Sequence, residues 1–166
     1  YLNLLHAGHR VGQGDTIIAE SCEYCNSFLN FAPTIAVILD IDEDHLDYFK
    51  DLADIQKSFR KFAELTPPDR GVVIANGMDR NTMDALRGID RRVVTFGMSE
   101  EMDVYPTRFD RGYSSFDVYC GGSYYTHVDL RVMGKHNCID ALSAIAAAWV
   151  LGVDPEAVTR GLTSFT

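Results

Sequence analysis

Two acidic clusters and a histidine are the residues of this sequence best suited to chemistry. Glu20 and Glu23 follow a short apolar run at residues 16–19 (TIIA). Asp40, Asp42, Glu43, Asp44 and His45 follow a second run at residues 34–39 (TIAVIL). Short apolar runs rich in β-branched residues read as buried strands rather than helices. In an open α/β sheet, ligands bind in the crevice beyond the carboxyl ends of the strands. Two parallel neighbours would therefore bring Glu20 and His45 out at the same edge. A carboxylate and an imidazole facing one crevice can hold a divalent cation, and such a cation usually serves a phosphate. Each residue also has an ordinary reading when taken singly: Glu20 as a solvated charge at a strand end, His45 as a histidine of a helix start or of the core.

A third element, Gly134-Lys135-His136-Asn137, precedes the longest helical pattern, about residues 138–151. Read by itself, the glycine makes a strand-to-helix turn and Asn137 is an N-cap. Cys22 and Cys25 form a C-x-x-C pair. A zinc site needs a second, suitably spaced ligand pair, and a thioredoxin-like motif belongs at a helix start. Incidental thiols beside a strand end are the favoured reading over zinc or redox chemistry. No G-x-x-x-x-G-K-[ST] phosphate loop occurs in the sequence.

The elements that must position these residues alternate. Residues 1–14 lack a clear period and read as a loop or frayed edge. Leu52, Ile55, Phe59, Phe62 and Ala63 share one helical face, and Pro67-Pro68 ends that helix. Residues 71–75 and 92–96 read as strands, with Asp79 capping a short helix between them that runs to Leu86. This succession predicts a mainly parallel sheet with right-handed crossovers. From about Val104 the pattern changes to three segments, 104–109, 115–120 and 124–132, which read as antiparallel strands. Gly121-Gly122-Ser123 turns the hairpin between the second and third. Asp154-Pro155 opens a last helix. The expected fold is α/β and three-layered, with helices on both faces of the sheet and a small antiparallel extension.

The chain has 166 residues, 46% of them apolar, enough for one core. Its net charge of −9 argues against nucleic acid or an anionic membrane surface as a partner. With no apolar run of membrane-spanning length and no leader pattern, the expected protein is soluble and cytosolic.

Taken together, the motifs resemble those of the Mur ligases, the ATP-dependent amide-bond ligases of peptidoglycan precursor synthesis. The resemblance rests on Glu20-Ser21-Cys22-Glu23 with Ser27-Phe28, on Ile41-Asp42-Glu43-Asp44-His45-Leu46-Asp47, in which His45 stands 25 residues after Glu20, and on Gly134-Lys135-His136-Asn137. It covers nearly the whole chain and implies the family's P-loop-like central ATP-binding domain, here without its first strand and P-loop. The UDP-binding and amino-acid-binding domains that flank it in the family would lie elsewhere in the polypeptide. It further implies ATP and Mg²⁺ as cofactors, with Mn²⁺ able to substitute. Glu20 and His45 would be the catalytic metal ligands, and His136 and Asn137 would seat adenine. Glu23 would be second to these, supporting the metal site or its loop. The implied substrates are UDP-N-acetylmuramate and L-alanine. The alternatives are a murein tripeptide recycling ligase, a non-catalytic nucleotide- or metal-binding module, and a purely structural domain. Asp140 and Asp40 depart from the family pattern, which has Asn at both places. An ionised Asp140 can accept but not donate, so it could take the adenine N6 hydrogen but not pair with N7.

Overall fold

A computed structural model describes residues 9–166; the reading of residues 1–8 as loop lies outside them. Six strands form one sheet in the order β1 (Ile35–Ile38), β2 (Val72–Asn76), β3 (Arg92–Phe96), β4 (Val104–Thr107), β5 (Ser115–Cys120) and β6 (Ser123–Asp129). The first four run parallel; β5 and β6 are antiparallel additions. The segment expected to be purely antiparallel therefore splits. β4 joins β3 in parallel through the Phe96–Val104 pair and only then meets β5 in the opposite sense. The hairpin turn is two residues, Gly121 (φ 56°) and Gly122 (φ 77°), with Ser123 already in the strand. Both left-handed positions suit a primed turn and favour glycine.

Strand alternation sends side chains to two cores. Val72, Ile74, Val94 and Phe96 pack with the helix α3 (Lys135–Val150), and near it lies α4 (Pro155–Thr163). Ala36, Ile38, Val73 and Ala75 pack on the opposite face with α1 (Leu52–Glu64) and α2 (Arg80–Leu86). The parallel strands β1–β3 are thus covered on both sides, as expected for parallel strands. Asp51, Asp79 and Asp154 cap α1, α2 and α4 by accepting from Asp54, Thr82 and Ala157 amides. No helix of the described residues is long and apolar enough to cross a membrane.

One expected strand is not formed. Residues 16–19 are irregular, with Ile17 93% and Ile18 91% exposed. A strand exists only where a neighbour takes its N–H and C=O groups. Among the described residues no strand lies on the outer edge of β1, and residues 16–19 pair with none.

The hairpin carries a charged cluster of its own. His127 Nδ1 lies 2.8 Å from Asp117 Oδ1 and Nε2 lies 3.4 Å from Asp129 Oδ1; Arg108 approaches Asp117 at 3.7 Å. The hydrogen bond to Asp117 is the largest influence and raises the His127 pKa; burial opposes it, and the charges of Asp129 and Asp117 add to the rise. Folding with a raised imidazole pKa is favoured while the group is protonated in both states, and that favour is lost as pH rises through the folded-state value. The cluster is solvent-exposed, so its contribution is small, about 0.2–1 kcal/mol. We expect the melting-temperature difference between the native chain and His127→Asn to shrink by about 1–3 °C between about pH 6 and about pH 9. Thermal melts of both across that range check it; a gap that is constant or widens refutes the assignment.

Candidate functional site at the carboxyl edge of β1 and β2

The chain leaves β1 at Ile38 into the acidic loop, and the loop is held from two directions. Buried Ile41 is the anchor. Its N–H donates to Asp79 Oδ2 at 3.3 Å, and its carbonyl accepts from Asn81 Nδ2 at 2.8 Å. Asp79 Oδ2 also accepts from Thr82 N at 2.7 Å, so one carboxylate caps α2 and ties down the loop. Gln56 on α1 reaches Asn81 O at 3.0 Å and completes the bracket. The second tether comes from a 3-10 segment, Tyr24–Asn30, broken by left-handed Cys25 (φ 53°) and Asn26 (φ 57°). Tyr24 donates its hydroxyl to Asp47 Oδ2 at 2.9 Å, and its ring packs on His45 with centroids 4.7 Å apart.

His45 has a left-handed backbone (φ 54°) and accepts at its carbonyl from Tyr48 N and Phe49 N, at 2.8 and 2.9 Å. Its Nε2 lies 3.4 Å from Glu23 Oε1, and its Nδ1 3.9 Å from Asp44 Oδ1. The carboxylate facing the imidazole is therefore Glu23. Glu20 lies in the irregular, exposed stretch and has no ion-pair contact with His45. Among the described residues no three His, Cys, Asp or Glu side chains converge as a metal centre.

The third motif faces the same edge. Gly134 (φ 119°) is the N-cap of α3, so His136 and Asn137 lie in its first turn, three residues earlier than the sequence pattern places the helix. A Cβ at Gly134 would stand 2.7 Å from His136 Cε1, so glycine leaves the imidazole room to fold back. Asn137 Nδ2 donates to Met133 O at 2.8 Å, which orients the amide. One turn on, Asp140 is close enough to be felt at Asp40. The Asp40 carboxyl is pushed up from its ordinary range by desolvation where the chain leaves the sheet, then by Asp79, Asp42, Asp140 and Glu23. Asp40 is exposed, so like-charge crowding is the firmer of these causes. Charges carried at the start of the 3-10 segment, in the acidic loop, at the N-cap of α2 and on α3 thus all act on the Asp40 carboxyl.

The family of the Mur ligase middle domain matches residues 13–148. The chain belongs to the Mur ligase family. UDP-N-acetylmuramate--L-alanine ligase of Caldanaerobacter subterraneus subsp. tengcongensis is 43% identical over 159 residues, 94% of this chain and 34% of that protein. The Clostridium tetani ligase of the same name is 40% identical over 166 residues, 99% of this chain and 36% of that protein. The chain spans about a third of the length of these curated relatives. Among solved structures, the Neisseria meningitides UDP-N-acetylmuramate:L-alanyl-gamma-D-glutamyl-meso-diaminopimelate ligase superposes with a TM-score of 0.73 at 31% identity, covering 84% of this chain and 42% of that one. UDP-N-acetylmuramate-alanine ligase MurC of Thermotoga maritima gives 0.67 at 25%, covering 84% and 31%.

This edge thus combines like-charged carboxylates whose charges are felt at Asp40 with one imidazole, His45, paired to Glu23. Asp79, Asn81 and Asp140 were not singled out as site residues by the sequence reading. Asp79 and Asn81 follow the Asn76-Gly77 turn at the carboxyl end of β2, which is the signal that places them beside the end of β1.

Proposed function

We propose that this Mur ligase domain is the central ATP-binding domain of a cytoplasmic ligase joining L-alanine to the carboxylate of UDP-N-acetylmuramate. UDP-binding and amino-acid-binding domains of the same polypeptide complete it. The observation that carries the reading is the convergence at one sheet edge of the His45–Glu23 pair and the start of α3, linked through Asp140 beside Asp40. In the reaction, a muramoyl carboxylate oxygen attacks the γ-phosphorus of ATP and ADP leaves. The amine of L-alanine then attacks the acyl phosphate carbon, and phosphate leaves with the bonding pair. Glu20 and His45, with Glu23, would hold Mg²⁺ or Mn²⁺, which when bound offsets the charge of the phosphates. Glu23 and the Tyr24 ring fix the orientation of His45. His136 and Asn137 seat the adenine, the Asn amide matching its N7 acceptor and N6 donor. No side chain of this domain serves as a covalent nucleophile.

A second reading, a ligase that recycles murein peptide, is favoured by the resemblance to the Neisseria meningitides structure. Full-length enzyme assayed for ADP release with L-alanine and with L-alanyl-γ-D-glutamyl-diaminopimelate as alternative amine substrates separates the two. Turnover with L-alanine alone is expected; turnover only with the tripeptide replaces the proposal by its rival.

Asn137→Ala in that enzyme is expected to raise KM for ATP more than it lowers kcat. Adenine stays in place during phosphoryl transfer, so its contacts stabilise ground and transition states alike. The lost hydrogen bonds correspond to about 1 kcal/mol each, or roughly fivefold per bond. Steady-state kinetics with varied ATP test it, and an equal fall in kcat and kcat/KM at constant KM removes Asn137 from the adenine site.

A further inference from the structure

Between the 3-10 segment and α1 lies a cavity of about 320 Å³ that the proposed reaction does not use. Its walls are Asn26, Tyr48, Asp54, Lys57, Ser58 and Lys61, with Phe49 beneath. We propose that this cavity binds hydrogen phosphate.

The polar groups of the wall are arranged in a directed chain. Ser58 is 4% exposed, and its hydroxyl donates to Asn26 Oδ1. Asn26, held in a left-handed backbone (φ 57°), donates Nδ2 to the Tyr48 hydroxyl at 2.9 Å. The Tyr48 oxygen is thereby an acceptor, and its own proton has no partner among the described residues. Lys57 and Lys61 stand one helical turn apart on the same wall and form no ion pair among the described residues, in a chain with 24 acidic and 15 basic side chains. Two ammonium groups and a phenol proton without partners suit an anion.

Asp54 selects which anion. Its Oδ2 accepts from the Lys50 amide at 3.3 Å, and its carboxylate forms part of the wall. An ionised carboxylate can only accept, so an anion seated here must also donate a hydrogen bond. Hydrogen phosphate carries such a proton at neutral pH. Sulfate does not, and neither does the dianion of a phosphomonoester above its second pKa, about 6. A carboxylate or sulfate ligand would meet Asp54 with no hydrogen bond to offset the repulsion between two anions, whereas hydrogen phosphate offsets it by donating its own proton to the carboxylate.

The inference is independent of the proposed ligase reaction, because none of its residues is a proposed metal or adenine contact. The test is an NMR titration of the isotope-labelled chain at constant ionic strength and about pH 7.5. Its arms are inorganic phosphate, glycerol phosphate and sulfate. Phosphate is expected to give saturable shifts at Asn26, Tyr48 and Ser58, with at least about tenfold weaker binding of sulfate and of the ester. Lys57→Gln and Lys61→Gln, both at exposed positions, should each weaken phosphate binding by about tenfold or more. Asp54→Asn keeps the shape and adds a donor, so it should abolish the preference over sulfate. His45→Ala should leave phosphate binding unchanged, which keeps this result separate from the fate of the metal-site reading. Shifts that fail to saturate, binding indifferent to both lysines, or equal affinity for sulfate in the native chain would each overturn the proposal.

Discussion

His45→Ala in the full-length ligase is expected to lower kcat by about 10²–10³ while leaving the melting temperature within a few degrees of the native value. The size follows from charge. In the proposed reaction a carboxylate approaches a phosphate that is already anionic, at an edge where the charges of Asp79, Asp42, Asp140 and Glu23 are already felt at Asp40. Positive charge fixed at that point acts more strongly as the transition state forms, and losing one preorganised electrostatic contact costs about 3–4 kcal/mol. The small effect on stability follows from the side chain's position. His45 is partly exposed, its imidazole contacts are Tyr24, Glu23 and Asp44, and the bonds that hold its loop to the fold run through Ile41, Asp79 and Asn81. Raising Mg²⁺ or Mn²⁺ should recover part of the lost rate, because only one of the proposed ligands has gone. Measuring kcat against metal concentration beside a thermal melt distinguishes the two roles. Near-normal turnover in a less stable protein would make His45 a packing residue.

The parallel sheet was legible because its strands are short apolar runs and its helices carry one apolar face. The run at residues 71–75 became β2, and the Leu52, Ile55, Phe59, Phe62 and Ala63 stripe became the buried side of α1. Residues 16–19 have the same apolar character and form no strand. Composition reports what a segment would do beside a partner, but pairing requires the partner, and among the described residues no strand flanks the outer edge of β1. The order of β4 was illegible for a related reason. Its short pattern is compatible with either direction, and tertiary pairing sets it: one parallel pair with β3 and four antiparallel pairs with β5.

At the candidate site, sequence spacing pointed to the sheet edge beyond β1 but did not encode the pairing found there. Glu20 and His45 were joined by assuming two adjacent strands. In the structure the carboxylate beside the imidazole is Glu23, because the chain turns into the 3-10 segment and carries Glu23 and Tyr24 together onto the His45 loop. Asp79 was legible as a helix cap and illegible as a tether of Ile41. The second role arises from a 38-residue separation that no local pattern encodes. Asp140 was visible only as a departure from the family motif; its nearness to Asp40 depends on how α3 lies across the sheet.

Phe28→Ala is expected to cost about 3–5 kcal/mol, the range for removing a buried phenylalanine. It should lower the melting temperature by about 2–4 °C per kcal/mol, and so by roughly 6–20 °C. Phe28 is 2% exposed, stacks on Phe62 with centroids 4.8 Å apart and meets Phe59 edge-on at 5.2 Å. These two rings belong to α1, so Phe28 is the apolar bolt between α1 and the 3-10 segment. Its other attachments are weaker: two left-handed residues interrupt the segment, Leu29 is only partly buried against the same core, the Tyr24 ring packs on His45 and Tyr48, and the remaining links are polar hydrogen bonds. Loss of the ring should therefore loosen the segment before the sheet. Amide exchange at residues 24–30 is expected to speed up more than at β2, whose residues Val73, Ile74 and Ala75 are wholly buried. With the segment released, Glu23 and Tyr24 no longer orient His45, and kcat should fall at temperatures where the sheet is intact. Exchange that accelerates equally in the segment and in β2 would show that Phe28 supports the whole core rather than this attachment, and the link from packing to the His45 site would then be lost.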